Sequence, residues 1–541
     1  MSLGRGYGRR EYDAVIVGGG HNGLVAAAYL ARAGLSVCVL ERRYIVGGAC
    51  VTEELAPMFK VSTAAYVNSL FRPEIIRDLH LREYGLELLE RNPSSFTPFP
   101  DGRYLFLGPE AEMNLMEISK FSSRDAAHFT EYEAYLNRIA RFVEPLLMRA
   151  PPDPLSRNPR DLLALARMAR EFRKLGRDAY GLIEMLSMSA WELLGRWFES
   201  EELKVTLATD GIIGTMAGPR SPGTAYVLFH HVMGETNGVR GVWAYVKGGM
   251  GGLTTALAQS ARSFGATIEC NAPVAEILVR NGKAYGVRLE GGEEITSRVV
   301  LSNADPNVTF LKLVKETELP SDFAKAVKQI DYSSGSAKIN VLVNELPNFK
   351  ALPGGGVGPQ HRGTIHISPS LEYMERAWSD SEGGLPSSSP ILEITIPSAV
   401  DPTIAPPGKH VIGMFVQYAP YRPRNGRWDD ASKNAFADRC LEILAEYAPN
   451  VRGSIIQRQV LTPVDIEREF ALTGGNIFQG AMHLNQLLFM RPLSGWAKYC
   501  TPIRGLYICG ASTHPGGGVM GACGHNAAME VLRHLRKRIF S

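Results

Sequence analysis

The chain has 541 residues with 45% hydrophobic side chains, and 58 basic against 55 acidic residues leave a formal net charge of +3. A chain of this size buries more than one core, so two or three domains are expected, and the balanced charge gives no basis for a nucleic-acid partner. Residues 1–10 are rich in Gly and Arg without an apolar core, which excludes a secretory signal peptide, and no apolar run approaches the roughly 18 residues of a spanning helix.

The first predicted elements are a strand, a glycine turn and a helix. Residues 14–17 are apolar and β-branched, as in a buried parallel strand, and residues 24–33 are an Ala/Leu-rich helix. The G-x-G-x-x-G between them permits a tight turn, close approach of the backbone to a pyrophosphate and close helix packing, with the helix N-terminus facing the phosphates. The predicted dinucleotide contacts are Gly18, Gly20, His21, Asn22 and Gly23.

A second predicted strand, residues 36–40, ends at an acidic residue. Glu41 lies 18 residues after Gly23, a spacing at which a carboxylate accepts hydrogen bonds from a ribose 2′-OH and repels a 2′-phosphate. An R-x-x-x-G-G pattern follows at residues 43–48. The predicted cofactor contacts of this segment are Glu41, Arg42, Arg43, Gly47 and Gly48.

Residues 76–240 are predicted to form the first part of a substrate domain. Within them, residues 161–198 have a helical pattern with an apolar face, and basic residues lie largely elsewhere. Such a stretch can rest on anionic lipid, and an ordinary solvated basic face is the alternative. The basic residues are Arg167, Arg170, Arg173, Lys174 and Arg177.

The two middle segments of the chain, residues 241–310 and 311–489, differ in their sequence patterns. Residues 241–310 contain a K-G-G-M segment and strand-like runs, and residues 311–489 contain alternating runs typical of a sheet with one covered face. The strand-like runs are residues 274–278, 285–289 and 299–302 in the first segment, and 338–344, 391–396 and 410–418 in the second.

The C-terminal unit, residues 490–541, contains a second glycine cluster. An apolar strand at residues 506–509 turns at Gly510 and continues through glycines into a helix at residues 527–538. Glycines there let backbone N–H groups approach a polar ligand edge.

Two motifs resemble those of the amine oxidase and phytoene desaturase superfamily of flavoproteins. They are R-x-x-x-G-G after Glu41, and G-x-x-T-H-P-G-x-G, matched by Gly510, Thr513, His514, Pro515, Gly516 and Gly518. The resemblance implies a non-covalent FAD in a Rossmann-like α/β domain built from residues 1–75, 241–310 and 490–541, interleaved with an α+β substrate domain of mixed sheet and helices. It also implies cofactor contacts at Val274, Gly510, Gly518, Val519 and Asn526.

A flavin accepts a hydride, so the protein mainly orients the substrate and excludes water. The resemblance implies an FAD-dependent oxidoreductase whose small-molecule substrate is hydrophobic, unsaturated and isoprenoid- or polyene-like. The flavin chemistry predicts an apolar tunnel for this substrate, and the basic amphipathic pattern of residues 161–198 predicts peripheral membrane association. Two alternatives stay open: an amine-oxidase-like enzyme, and a flavoprotein that serves as the protein partner or regulator of another complex.

The candidate catalytic residues are His514 and Arg491. A histidine in a glycine turn can contact flavin or substrate and transfer a proton, and an arginine can stabilise a reduced flavin or form a structural ion pair. His231 and Glu235 are a weaker pair, and His231 lies in an apolar run that favours a core position.

The seven cysteines show no C-x-x-C or C-x4-C spacing, which excludes a thiol–disulfide relay. Their odd number predicts a reducing compartment: the cytoplasm of a bacterium, or the mitochondrial matrix and inner-membrane face of a eukaryote. No zinc-ligand spacing is present, so no metal is predicted.

Overall fold

The computed structural model describes residues 10–539, so the Gly- and Arg-rich residues 1–9 lie outside the described range. Its strands are β1 (Arg10–Val17), β2 (Val37–Leu40), β3 (Thr52–Ala56), β4 (Phe59–Ser62), β5 (Leu88–Glu90), β6 (Ser95–Pro98), β7 (Tyr104–Leu107), β8 (Glu235–Thr236), β9 (Val239–Arg240), β10 (Ala244–Val246), β11 (Thr267–Glu269), β12 (Val274–Arg280), β13 (Lys283–Leu289), β14 (Glu294–Ser302), β15 (Ser336–Val343), β16 (Thr364–Ile367), β17 (Ile391–Thr395), β18 (His410–Gln417), β19 (Ile455–Leu461) and β20 (Leu506–Ile508).

The α-helices are α1 (His21–Arg32), α2 (Pro73–Asp78), α3 (Ala111–Ser119), α4 (Ser123–Leu147), α5 (Pro159–Lys174), α6 (Asp178–Ser187), α7 (Ala190–Trp197), α8 (Glu201–Ile212), α9 (Thr224–Val232), α10 (Gly251–Ser263), α11 (Pro306–Val308), α12 (Ser321–Lys328), α13 (Leu371–Glu382), α14 (Asp430–Tyr447), α15 (Val451–Ser454), α16 (Pro463–Phe470) and α17 (Ala522–Ile539).

The first sheet, which we call the cofactor sheet, has the order β11-β2-β1-β14-β13-β12, and β20 pairs with the C-terminal half of β14. Strands β2 and β14 run parallel to β1 on either side, and Val17 is in register with Leu40 and with Ser302. The carboxyl ends of three parallel strands therefore meet at one edge, where an open α/β sheet binds its ligands. Helices α1, α10 and α17 cover one face with an apolar core.

The second sheet, which we call the substrate sheet, has the order β19-β15-β18-β17-β16-β6-β7. The strands predicted at residues 338–344, 391–396 and 410–418 are confirmed as β15, β17 and β18. Residues 76–240, in which the sequence predicts helices over 161–198, also supply β6 and β7, which extend this sheet through a parallel pairing of β6 with β16.

The two sheets alternate along the chain, so the predicted fold class is confirmed: a Rossmann-like domain interleaved with a domain of mixed sheet and helices. The domain boundaries stay predictions. One hairpin links the two units, because Phe59 and Val61 of β4 pack against Leu342 and Val411 of the substrate sheet.

Helices α4 to α9, which we call the helical layer, pack around one apolar core. The predicted helical stretch 161–198 forms three helices rather than one. Gly176 has a φ of +59° between α5 and α6, and Ser189 caps the N-terminus of α7 by accepting a hydrogen bond from the Glu192 N–H. A left-handed glycine ends the helix before it and an N-cap residue begins the helix after it, and an apolar periodicity reveals neither position. Among the described residues, no helix has the length and apolarity needed to cross a membrane.

Candidate functional site

A cavity of about 820 Å³ extends from the edge of the cofactor sheet to the substrate sheet. Gly18, Glu41 and Val274 line one end of it, and Lys338 and Glu393 line the other. The cavity therefore joins the predicted dinucleotide site to the interior of the substrate domain.

The turn at residues 18–23, which we call the glycine loop, packs so closely on itself and on Asn303 that a side chain would not fit at Gly20 or Gly23. A Cβ on Gly23 would lie 2.3 Å from the Gly18 carbonyl oxygen, and a Cβ on Gly20 would lie 2.7 Å from Nδ2 of Asn303. Helix α1 begins directly after Gly20 without a side-chain cap and without an acidic residue in its first turn. Its first N–H groups therefore remain available for the phosphates of a dinucleotide at the positive end of the helix.

Glu41 is buried beside this loop and lines the cavity. Its Oε2 accepts a hydrogen bond of 2.8 Å from the Gly19 N–H, and its Oε1 accepts one of 2.9 Å from the Arg43 N–H. Each carboxylate oxygen can accept more than one hydrogen bond, so the pair of backbone bonds orients Glu41 and leaves acceptor capacity for a ribose.

The R-x-x-x-G-G segment lines the same end of the cavity. Arg42 donates to the carbonyl oxygens of Arg468 and Glu469, and Arg43 donates to Glu53 at 2.8 Å. The Gly47 N–H donates to the Gly19 carbonyl, which joins this segment to the glycine loop. The predicted residues that line the cavity are Gly18, Gly20, His21, Asn22, Glu41, Arg42, Arg43, Gly47, Gly48, Val274, Gly518 and Val519.

Three predicted cofactor residues do not line the cavity. Gly23 and Gly510 act through packing: a Cβ on Gly510 would lie 2.4 Å from the Asn303 carbonyl oxygen. The Asn526 side chain donates to the Leu147 carbonyl at 2.9 Å and to the Tyr499 hydroxyl at 3.0 Å. These three residues support the cavity wall from behind in the structure, and their predicted cofactor contacts stay predictions.

His514 is a predicted catalytic residue that the structure places outside the cavity lining. Its Nε2 lies 3.0 Å from the Leu146 carbonyl at the end of α4, and burial lowers the pKa of its ring to about 4. A neutral histidine bonded to a helix end holds α4 against the C-terminal glycine motif. The observed contact of His514 is structural, and its predicted catalytic role stays a prediction.

Arg491 is also outside the cavity lining and is 1% exposed. Its guanidinium donates to six backbone carbonyls, those of Phe478, Gly480, Ala481, Gln486, Ala511 and Thr513. Burial lowers its pKa to about 10, so it stays charged at neutral pH. The guanidinium joins loop 478–486 to the C-terminal motif, and among the residues that the structure describes it forms no ion pair. The predicted flavin contact of Arg491 stays a prediction.

Of the weaker candidate pair, His231 and Glu235, only His231 lines the cavity. His231 lines the cavity with its ring, stacked on Trp243 at a centroid distance of 5.9 Å, while its Nδ1 lies 2.9 Å from the carbonyls of both Asp210 and Val227. Burial lowers its pKa to about 4, as expected of a core histidine. Glu235 does not line the cavity.

The substrate end of the cavity contains a group of polar residues that sequence reasoning missed. Lys338 of β15 and Glu393 of β17 both pair with Phe415 of β18, and His366 of β16 pairs with Glu393. Residues in register on neighbouring strands point to the same face, so Lys338, Glu393 and His366 form one row across the sheet. We call this the polar row.

Three further side chains surround the polar row. The Tyr66 hydroxyl donates to Glu393 at 2.6 Å, and the Tyr66 ring lies below Nζ of Lys338 at 5.4 Å. Arg91 donates to the Thr364 hydroxyl at 2.6 Å and to the Trp243 carbonyl at 3.2 Å. Asp210, on α8, faces the same space from the helical layer.

Burial strongly perturbs the titration of these groups. It lowers the pKa of Lys338 to about 7 and that of His366 to about 3, and it raises the pKa of Glu393. Burial, and after it the nearby Glu393 carboxylate, raise the pKa of Asp210 to about 7. Perturbed groups in a cleft mark candidate functional sites. A polar residue within each of the apolar strands β15, β16 and β17 was the sequence signal that could have revealed them.

The glycine loop, the oriented carboxylate and the cavity that continues into a second domain define a dinucleotide-binding flavoprotein. The chain matches the family model for flavin containing amine oxidoreductase over residues 23–532. The chain therefore belongs to this family of FAD-dependent oxidoreductases, and its cofactor is FAD.

Comparison with individual proteins agrees with this assignment. The chain is 47% identical to rat pyridine nucleotide-disulfide oxidoreductase domain-containing protein 2 over 97% of its length and 94% of that protein. It is 27% identical to a limonene dehydrogenase chain of Castellaniella defragrans, covering 98% and 96%, and 27% identical to phytoene desaturase of Neurospora crassa, covering 94% and 82%. A solved putrescine oxidase variant shares the fold at a TM-score of 0.60, with 17% identity over 98% of this chain and all of that one.

The seven cysteines are all free thiols in the structure. Cys38, Cys50, Cys509 and Cys523 are buried, and burial raises the pKa of Cys38 and Cys50 to about 12. We predict that replacing each of these four by Ser leaves anaerobic photoreduction of the bound flavin intact, because a protonated thiol does not relay electrons. Loss of reducibility in one variant that still holds stoichiometric FAD would contradict this prediction.

Proposed function

We propose that the protein transfers a hydride between an apolar, unsaturated substrate and FAD. The observation that carries the proposal is the continuous cavity that leads from the glycine loop into a chamber with apolar walls. The names of two relatives, a limonene dehydrogenase and a phytoene desaturase, support an isoprenoid substrate. The wall residues are Leu107, Phe129, Leu136, Leu207, Leu228 and Phe478.

FAD, when bound, supplies the hydride acceptor. In this proposal the glycine loop binds the pyrophosphate, Glu41 binds the ribose and the apolar chamber excludes water and orients the substrate. Lys338 lies at the inner end of the chamber with its Nζ donating to Oδ1 of Asn340 at 2.6 Å. With a pKa of about 7, its amine is partly neutral at neutral pH and can accept a proton from the substrate.

Anaerobic titration of the FAD-loaded protein tests the proposal. We expect limonene or phytoene to bleach the flavin absorbance and an added electron acceptor to restore it, and we expect Lys338→Met to slow the bleaching while leaving the FAD content unchanged. Asn137→Leu, which changes another cavity-lining residue, is the matched control. Bleaching by neither compound would reject an isoprenoid substrate.

An amine-oxidase-like activity is the second candidate. The match to the family of flavin containing amine oxidoreductases and the two carboxyl groups of Asp210 and Glu393 at the inner end of the cavity favour it. Putrescine is therefore included in the titration, and bleaching by putrescine alone would select this candidate.

We propose in addition that the apolar substrate enters from a membrane surface. Helix α5 has no buried residue, and Leu162 and Leu163 are each 52% exposed beside its basic side chains. The helix packs on α4 through Phe172 and Phe142, whose ring centroids are 5.8 Å apart. Helix α4 also lines the cavity. The cavity lining includes Gly241, which is exposed at the protein surface, and we place the entrance there.

Vesicle sedimentation tests this entrance. Each cation near an anionic bilayer contributes roughly 1 kcal/mol, so Arg170→Glu combined with Arg173→Glu should weaken binding to phosphatidylserine vesicles by tenfold or more. Added salt should do the same. The matched control is Lys325→Glu combined with Lys328→Glu on α12, which makes the same change of charge elsewhere. Equal binding of both double variants would show that α5 is an ordinary solvated helix.

A further inference from the structure

The apolar chamber ends on charged and polar groups, although an isoprenoid hydrocarbon offers them no hydrogen bond. Lys338, Glu393 and His366 are each at most 7% exposed, and all three line the cavity. Buried polar groups are costly unless they are bonded, so a chamber built for a hydrocarbon alone would not retain them at its end.

The bonds within this group leave capacity for a ligand. Glu393 accepts a hydrogen bond from Tyr66, but the described part of the chain contains no ion pair between Arg91 or Lys338 and either Glu393 or Asp210. Asp210 lines the cavity and is half-buried by the surrounding protein. His366 is buried, and its Nδ1 has no hydrogen-bond partner among residues 10–539, which the structure describes.

The mixture of charges restricts the chemistry of that ligand. The carboxyl groups of Asp210 and Glu393 would repel a carboxylate, and Arg91 together with Lys338 would repel an ammonium group. Arg91 is near enough to Asp210, Glu393 and His366 to influence the pKa of each. A neutral group that both donates and accepts hydrogen bonds is compatible with donors and acceptors placed side by side.

We propose that the polar row, together with Asp210 and Arg91, binds the hydroxyl group of an apolar alcohol whose hydrocarbon body occupies the chamber. This inference rests on the proposed function and deepens it, because it assigns the substrate a polar inner end. The hydroxyl donates to the carboxylate of Asp210 or Glu393 and accepts from Arg91 or His366. The apolar walls bind the body without directional contacts, so the polar row sets which end of the substrate enters first.

Calorimetric binding to the FAD-loaded protein in its oxidised state tests the inference without turnover. The probes are 1-decanol, decyl methyl ether, decylamine and decanoic acid, which share a hydrocarbon chain and differ at one end. The ether keeps an acceptor and loses the donor. We expect 1-decanol to bind about tenfold more tightly than the ether, and more tightly than the amine or the acid, because the ether lacks the hydrogen bond that the hydroxyl donates to a carboxylate.

Two variants connect this preference to the named residues. Asp210→Leu and Arg91→Met should each reduce the preference for the alcohol over the ether severalfold while the affinity for the ether is retained. Asn137→Leu, on the cavity wall contributed by α4, should keep the full preference. FAD content and thermal midpoint identify any variant that has lost its fold, and Asp210→Asn then serves as the milder replacement.

Equal affinity for alcohol and ether, or tightest binding of the amine or the acid, would overturn the inference. The binding affinities test the hydroxyl site separately from the proposed function, because the proposed function is rejected only when isoprenoids do not reduce the flavin. A protein that binds 1-decanol preferentially and is not reduced would retain the hydroxyl site and lose the proposed reaction.

Discussion

Replacing Glu41 with Ala is expected to weaken FAD binding by roughly 5- to 150-fold, so that the purified protein carries little flavin. The expectation follows from the loss of the ribose acceptor, since an unpaired buried hydrogen-bonding group costs about 1–3 kcal/mol. The substitution also removes the acceptor of the Gly19 and Arg43 N–H groups, which loosens the loop that binds the pyrophosphate. The ratio of flavin absorbance to protein absorbance after reconstitution with FAD measures the effect.

Two further variants make the Glu41 experiment specific. Glu290→Ala removes a carboxylate from the lining of the same cavity without touching the loop, and it should keep full occupancy. Glu41→Gln retains one acceptor oxygen and should give intermediate occupancy. Acid precipitation should release the flavin from the native protein, because the cofactor is predicted to be non-covalent. Unchanged occupancy in Glu41→Ala would reject the assigned role of this carboxylate.

Replacing Arg491 with Leu is expected to destabilise the fold by at least about 3 kcal/mol. Six backbone carbonyls lose their donor in a fully buried site, and each buried acceptor left unpaired costs about 1–3 kcal/mol. The lower midpoint of denaturant unfolding should appear in the protein without FAD as well as with it, because the network does not line the cavity. A catalytic arginine would instead slow flavin reduction and leave the midpoint unchanged.

The control for Arg491 is Arg504→Leu. Arg504 also donates to a backbone carbonyl, that of Asn281, but its bond is exposed to solvent. Water can replace an exposed donor, so this change should alter stability by less than about 0.5 kcal/mol. Equal midpoints for the two variants would show that the Arg491 network does not stabilise the fold.

Much of the cofactor domain could be predicted because its signals are local. Gly18, Gly20 and Gly23 stand at fixed distances between a strand and a helix, and Glu41 ends the next strand. Such short-range spacing is imposed by the tight turn and by helix–strand packing, and it therefore remains visible in the sequence. Even here, Asn303 was not recognised as a cavity residue, because its place beside Gly18 depends on the pairing of β14 with β1.

The candidate catalytic residues were less predictable because motifs do not specify which way a side chain points. His514 lies in a motif that contacts the cavity through Gly518 and Val519, but its ring turns away to bind the end of α4. Arg491 precedes that motif, and its guanidinium donates its hydrogen bonds to backbone carbonyls. Both orientations are decided by packing between segments that are distant in the sequence.

The sequence by itself determined the dinucleotide-binding fold, the acidic residue beside the glycine loop, the interleaving of two sheets along the chain and the absence of a paired-cysteine motif. Only the tertiary structure decided the inner end of the cavity. Lys338, His366 and Glu393 lie on three different strands. They are aligned because Lys338 and Glu393 both pair with Phe415 of β18, and His366 pairs with Glu393. Strand register depends on non-local hydrogen bonds and on which face is buried, so no local pattern could bring these three residues into one row.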